Sequence, residues 1–327
     1  MRKLVIAIVA GMAILSADVS LAAAAVTIST DRVAYRTVDI DGIKVFYREA
    51  GLPSLPTLVL LHGNPSSSFM FRDLIPRLAA NFHVFAPDYP GFGYSDTPPP
   101  GSYRYTFDHL AETTHGFLKK VGASNYILYM QDYGGPIGFR IATAHPEQVK
   151  GIIIQNANAY EEGLSKQWRD ELNERIKHGK SSKPSPEPPT LSSVTSLEDN
   201  LKWIKPMYVT GARDPAKMTP DGYTFDAAML SRPGQDPIQD RIGDDYYTNV
   251  MLYPVWQKWL RTQQPPTLIV WGEGDGIFST DGAKAYERDV PNAKLVFYKG
   301  SHFLLEEFAP EVAQEIIRMF AVDADKK

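Results

Sequence analysis

No cysteine occurs anywhere in the 327-residue chain. Disulfides, thiolate-held metals and thiol nucleophiles are therefore excluded. Charge of one sign is also scarce. The net charge is −4, and no basic stripe or long block of like charge is present, which argues against nucleic acid as a partner. The seven histidines are scattered, and none sits at ligand spacing from acids, so no metal is expected. No phosphate-cradling loop or dinucleotide fingerprint stands out, and no organic cofactor is expected. Internal repeats are missing, and nothing in the sequence sets an oligomeric state.

Long apolar runs are missing too, with one exception. Arg2 and Lys3 precede an uncharged stretch from Leu4 to Leu15, and Ser20-Leu21-Ala22 offers a small-residue cleavage site. This pattern is that of a secretory signal peptide over residues 1–22. The apolar run is shorter than the ~20 residues that span a bilayer, which favours cleavage over a retained membrane anchor. The expected location is secreted or periplasmic, and removal takes the net charge from −4 to −5.

What is present is an alternation of short apolar runs and helical stretches. Arg36–Ile40 and Ile43–Arg48 flank Asp41-Gly42, a hairpin signal. Thr57–Leu61 is continuously apolar, as in a strand buried on both faces. Helices are expected over Phe69–Asn81, Thr106–Val121, Pro136–His145 and Pro310–Phe320. Further strands are expected at Phe82–Ala86, Tyr126–Met130, Gly151–Gln155, Thr267–Trp271 and Lys294–Tyr298. The alternation implies a mostly parallel sheet covered on both faces. Between residues 159 and 264 it breaks into a polar, aromatic, helical insert. The insert contains the proline-rich loop Lys180–Thr190, which cannot be regular structure. The expected organisation is a core of residues 27–158 and 265–327 interrupted by a helical cap of residues 159–264.

Five segments at strand ends carry the chemistry. Tyr126-Ile-Leu-Tyr-Met130 runs into Gln131-Asp132-Tyr133-Gly134-Gly135, placing a carboxylate where a strand turns into a helix. By itself Asp132 could be a helix N-cap. Leu61-His-Gly-Asn-Pro65 and Asp88-Tyr-Pro-Gly-Phe-Gly93 follow earlier strands. Trp271-Gly-Glu-Gly-Asp275 and Gly300-Ser-His302 end later ones. The corner resembles the nucleophile elbow of the α/β-hydrolase fold, with an aspartate in the serine position and Met130 in place of the first small residue. The order nucleophile, acid, base is also that of this superfamily. Within it, an aspartate nucleophile resembles the epoxide hydrolase and haloalkane dehalogenase branch.

The resemblance implies Asp132 as nucleophile, His302 as base and Asp275 as the acid orienting it. Backbone N–H groups of Asn64 and Tyr133 would form the oxyanion hole. Asn156 sits where some dehalogenases place their acid; asparagine cannot do that work, and Asn156 is instead a candidate substrate contact. A carboxylate with a pKa of ~3.9 is already ionised at neutral pH. It suits attack at saturated carbon, giving an ester that a water activated by His302 would hydrolyse.

The leaving group divides two readings. Epoxide opening wants O–H donors, supplied in epoxide hydrolases by two cap tyrosines. Halide release wants N–H donors, usually a tryptophan after the nucleophile. Here that residue is Tyr133, while Asn64 resembles the halide asparagine of one dehalogenase subgroup. Among the insert tyrosines Tyr208, Tyr223, Tyr246, Tyr247 and Tyr253, the second cap position matches Tyr253, with Tyr208 or Tyr223 as the first. Trp203, Trp256 and Trp259 could line the pocket or pack the cap. The missing tryptophan favours an epoxide hydrolase acting on a small apolar substrate and water, with a haloalkane dehalogenase as alternative. A non-catalytic ligand-binding protein on the same scaffold is the alternative of another class.

Overall fold

The computed structural model describes residues 32–178 and 195–321. The expected signal segment of residues 1–22 and the loop Lys180–Thr190 lie outside the described residues. Among the described residues eight strands form one sheet in the order β1-β2-β4-β3-β5-β6-β7-β8. They are β1 (Ala34–Ile40), β2 (Ile43–Ala50), β3 (Thr57–Leu61), β4 (His83–Pro87), β5 (Tyr126–Gln131), β6 (Val149–Gln155), β7 (Thr267–Gly272) and β8 (Lys294–Tyr298). The edge strand β1 pairs antiparallel with β2, β2 pairs antiparallel with β4, and every other pairing is parallel. The β1–β2 turn holds Asp41 at φ 51° and Gly42 at φ 86°. These left-handed values are what a two-residue hairpin loop requires, and Asp and Gly tolerate them best.

Among the described residues ten helices accompany the sheet: α1 (Ile75–Leu78), α2 (Phe107–Lys120), α3 (Gly134–Ala144), α4 (Lys166–His178), α5 (Leu197–Val209), α6 (Asp221–Leu230), α7 (Gln235–Asp245), α8 (Tyr247–Gln263), α9 (Thr280–Ala285) and α10 (Leu305–Phe320). The expected helix over 69–81 is instead a 3-10 turn at Ser68–Phe71 followed by the single turn α1. Pro76, which has no N–H to give, is tolerated because it lies in the first turn of α1. The last helix starts earlier than expected. Residues 305–308 turn helically, Phe308 breaks the geometry at φ −123°, ψ 18°, and the helix resumes at Pro310. No described helix is long and apolar enough to cross a membrane.

The central strands are apolar on both faces because helices cover both. Leu58, Leu60, Ile153, Leu268 and Val270 pack with α1 and α10 on one side. Val59, Leu61, Leu128, Met130 and Ile154 pack with α2 and α3 on the other. The chain runs from β3 to β4 on one side, then crosses to β5 on the other. Neighbouring crossovers therefore diverge between β3 and β5, where open sheets present a crevice at their carboxyl ends. α4–α8 all lie between β6 and β7 in sequence, and they meet the core loops through aromatic contacts. Phe225 of α6 stacks on Phe69 at 4.4 Å, and Tyr208 of α5 stacks on Phe303 at 3.8 Å.

Candidate active site

Asp132 follows directly on β5 and takes φ 48°. A non-glycine residue in this region is strained by about 1–3 kcal/mol and is held there only by its surroundings. Those surroundings are tight. Leu61 of β3 pairs with Met130 of β5, so Gly63 lies beside Asp132. A Cβ on Gly63 would stand 2.4 Å from the Asp132 Cβ, and one on Gly134 would stand 2.2 Å from the Leu61 carbonyl oxygen. Only glycine permits both approaches. The elbow thus aims the carboxylate at the Asn64 loop, where Asp132 Oδ1 accepts the Asn64 backbone N–H at 2.8 Å. The Tyr133 backbone N–H also serves this carboxylate.

His302 lies in the loop after β8, fully buried. Its Nε2 is 3.8 Å from Asp132 Oδ2, and its Nδ1 is 2.9 Å from Asp275 Oδ2. Asp275 Oδ1 accepts the Ile277 N–H at 2.7 Å, and Oδ2 also accepts Asn156 Nδ2 at 2.7 Å. With every one of these donors on Asp275, the imidazole N–H sits on Nδ1, and Nε2, on the Asp132 side, carries no proton in the neutral ring. The Asn156 side chain further accepts the Gly272 N–H at 3.2 Å, tying the ends of β6 and β7 together. Asn156 therefore positions Asp275 and is not a substrate contact.

Burial raises the Asp132 pKa, while the His302 charge and the two N–H groups pull it back. It remains above the ordinary carboxylate value. Burial lowers the His302 pKa, but the charge and hydrogen bond of Asp275, with Asp132 beyond, outweigh it and leave it raised. The cluster joins a held carboxylate, an oriented base and two N–H groups, the parts needed to make and break an ester. Among the described residues no group of three or more His, Cys, Asp or Glu side chains could hold a metal.

A family model for the alpha/beta hydrolase fold matches residues 56–309. The chain belongs to that family. It is 45% identical to an uncharacterized hydrolase of Saccharomyces cerevisiae over 282 residues, 86% of this chain and 94% of that one. It is 25% identical to a haloalkane dehalogenase of Bradyrhizobium diazoefficiens over 298 residues, 86% of this hydrolase and 92% of the relative. Among solved structures, the epoxide hydrolase CorEH superposes with a TM-score of 0.68 at 20% identity, covering 88% of this chain and 99% of that chain. These relatives agree with the branch that the aspartate elbow resembles.

The cap residues of this hydrolase sort differently from the sequence expectation. Tyr208 is buried with its hydroxyl given to Asp226 Oδ2 at 2.5 Å, so its proton is already engaged. Tyr223 is only partly buried, 5.9 Å from the Tyr208 ring, with the Lys205 ammonium 5.7 Å over its own. Trp203 is 42% exposed on α5 and donates its indole N–H to Asn200. It lies on the cap surface and cannot line a closed pocket. Trp256 and Trp259 are buried beside Phe139 of α3, 5.2 and 6.4 Å from its ring, and pack the cap onto the core. Tyr253 is buried, and its hydroxyl, with no acceptor at ordinary hydrogen-bond distance, faces that of Tyr246.

Among the insert tyrosines, Tyr246 is the one whose hydroxyl feels the Asp132 charge. It sits at the junction of α7 and α8, 6.1 Å from the Tyr133 ring. Trp168 of α4 lies 4.8 Å from it on the other side. The sequence reading named Tyr246 only as one of five tyrosines. The signal that could have found it is its spacing: Tyr246 and Tyr253 are two helical turns apart and share one face.

Proposed function

We propose that this hydrolase opens small apolar epoxides through an ester on Asp132. The observation that carries the reading is Tyr246, whose hydroxyl feels the Asp132 charge and faces that of Tyr253, with neither proton committed to a carboxylate. An Asp132 oxygen attacks an epoxide carbon, that C–O bond breaks, and the ring oxygen takes the Tyr246 proton. Burial, the neighbouring Tyr253 and the Asp132 charge all hold the Tyr246 pKa well above its ordinary value. Ester formation removes the Asp132 charge as the alkoxide develops, so the proton becomes easier to give when it is needed. Water then attacks the Asp132 carbonyl carbon and passes a proton to His302 Nε2. The oxyanion meets the Asn64 and Tyr133 N–H groups. Collapse expels the diol oxygen, which takes the proton from His302. The proton left on the Asp132 carboxyl returns to the Tyr246 oxygen.

Halide release is the second reading. It is favoured by Asn64, which resembles a halide-binding asparagine and whose side-chain oxygen is buried without a partner. The test uses His302→Gln with a styrene-type epoxide and with a bromoalkane. The epoxide is expected to add its full mass to the peptide carrying Asp132, and the unmutated protein to release diol. An unmodified spectrum with substrate still bound would overturn the mechanism. Bromide release without diol would establish the second reading instead.

A further inference from the structure

Gln131 immediately precedes Asp132 and is fully buried. Its amide nitrogen lies 3.0 Å from His302 Nε2. Since Nδ1–H points at Asp275, Nε2 is an acceptor in the neutral ring, and Gln131 is the donor. Its other amide atom, Oε1, is buried with no partner. The backbone at Gly63 presses against it, where a Cβ would stand 2.2 Å from Oε1. Beside it in the sheet, Gln155 pairs in register with Gln131 and donates to the His302 carbonyl oxygen at 3.4 Å. Two paired glutamines therefore grip the His302 loop, one by its backbone and one by the ring atom that must accept a proton.

An amide that donates to Nε2 opposes protonation there. The same amide turned over by half a rotation presents Oε1 to an Nε2–H. A buried, unpaired oxygen costs about 1–3 kcal/mol, and this rotation would satisfy it when the ring becomes charged. We infer that Gln131 is a positioning residue for the hydrolytic step: its N–H holds the His302 lone pair in the resting enzyme, and its Oε1 receives Nε2–H after the water's proton has moved. No bond is made or broken on Gln131 itself. The inference rests on the ester hydrolysis proposed above.

The test compares Gln131→Met, which has neither amide atom, with Gln131→Glu, which offers only acceptors. Both are first checked for an unchanged thermal melt. In single-turnover kinetics with an epoxide, Gln131→Met is expected to slow hydrolysis about 10- to 100-fold. Ester formation should stay within about threefold. The ester would then become the main species by mass in the steady state. Gln131→Glu is expected to raise the pH midpoint of hydrolysis by about one unit or more. Equal slowing of both steps in Gln131→Met, or hydrolysis within about twofold of the parent at an unmoved midpoint, overturns the inference. A substrate-free arm records the 15N resonance of His302 Nε2 against pH. It should shift toward a free lone pair in Gln131→Met. If the parent forms no ester, the proposed function fails. The imidazole arm still decides the positioning role, which an unmoved resonance and titration in both variants would refute.

Discussion

At Asp132, burial and hydrogen bonding pull in opposite directions, and the group's usefulness depends on the balance. Desolvation favours the neutral acid, whereas the Asn64 N–H at 2.8 Å and the His302 ring favour the anion. In the proposed ester-forming step, Tyr246 is the other residue whose charge must change. Tyr246→Phe is expected to slow ester formation from an epoxide about 100- to 1000-fold, as loss of one transition-state donor does. A bromoalkane, which needs no O–H proton, should react at a nearly unchanged rate. Stopped-flow tryptophan fluorescence reads both. At this scale Asp132, Asp275 and His302 were legible because each closes an apolar strand run with a glycine-containing corner. Tyr246 was not, because a tyrosine among tyrosines carries no mark until the helix faces are known. Gln131, and the role of Asn156 on Asp275, were hidden for another reason: their work is on side chains distant in sequence, which only the folded sheet brings together.

Among the elements, the contact between α3 and α8 ties the elbow helix to the cap. Arg140 of α3 is buried and gives hydrogen bonds to Asn249 Oδ1 at 2.7 Å, Thr248 Oγ1 at 3.0 Å and Asp108 Oδ1 of α2 at 2.6 Å. Burial lowers its pKa, against the pull of Asp108. Asn249 is fully buried and lies three residues after Tyr246, so the clamp also fixes the start of α8. Arg140→Leu leaves Asn249 without its partner and is expected to cost about 3 kcal/mol in urea unfolding. Asp108→Asn, at a side chain 73% exposed, is expected to cost under about 1 kcal/mol. Strand identities were readable from apolar runs, and boundaries moved by one or two residues. Two helices were misjudged at their prolines. Pro76 sits in a one-turn helix, and Pro310 follows the break at Phe308, so neither marks the end that composition alone suggests.

For the molecule as a whole, the junction of cap and core carries a buried acid outside the Asp132 cluster. Asp226 of α6 accepts from Tyr208 and turns its other oxygen toward Ser66 of the Asn64 loop. Burial, the largest influence, raises its pKa to about 7, against the hydrogen bond of Tyr208 and the nearby Ser66 hydroxyl. The folded protein therefore keeps this proton after the unfolded chain has lost it. Stability should fall as pH rises from ~4 to about 7 and level off above. Asp226→Asn mimics the protonated acid and should remove that slope. The variant should match the parent at low pH and exceed it by up to about 4 kcal/mol at pH 8, read by urea midpoints across the range. The sheet of α/β-hydrolase type was legible from the alternation of apolar runs and helices, since both faces of a parallel sheet must be covered. How the cap closes on the core was not, because that contact depends on shape between segments the sequence holds far apart.

The central claim is that an Asp132 oxygen, and not water, makes the first bond to substrate. A single turnover with excess enzyme in 18O-labelled water measures this directly. The account predicts an unlabelled diol in the first turnover and 18O in the peptide that carries Asp132. Label in the first-formed diol, with that peptide unlabelled, would contradict it.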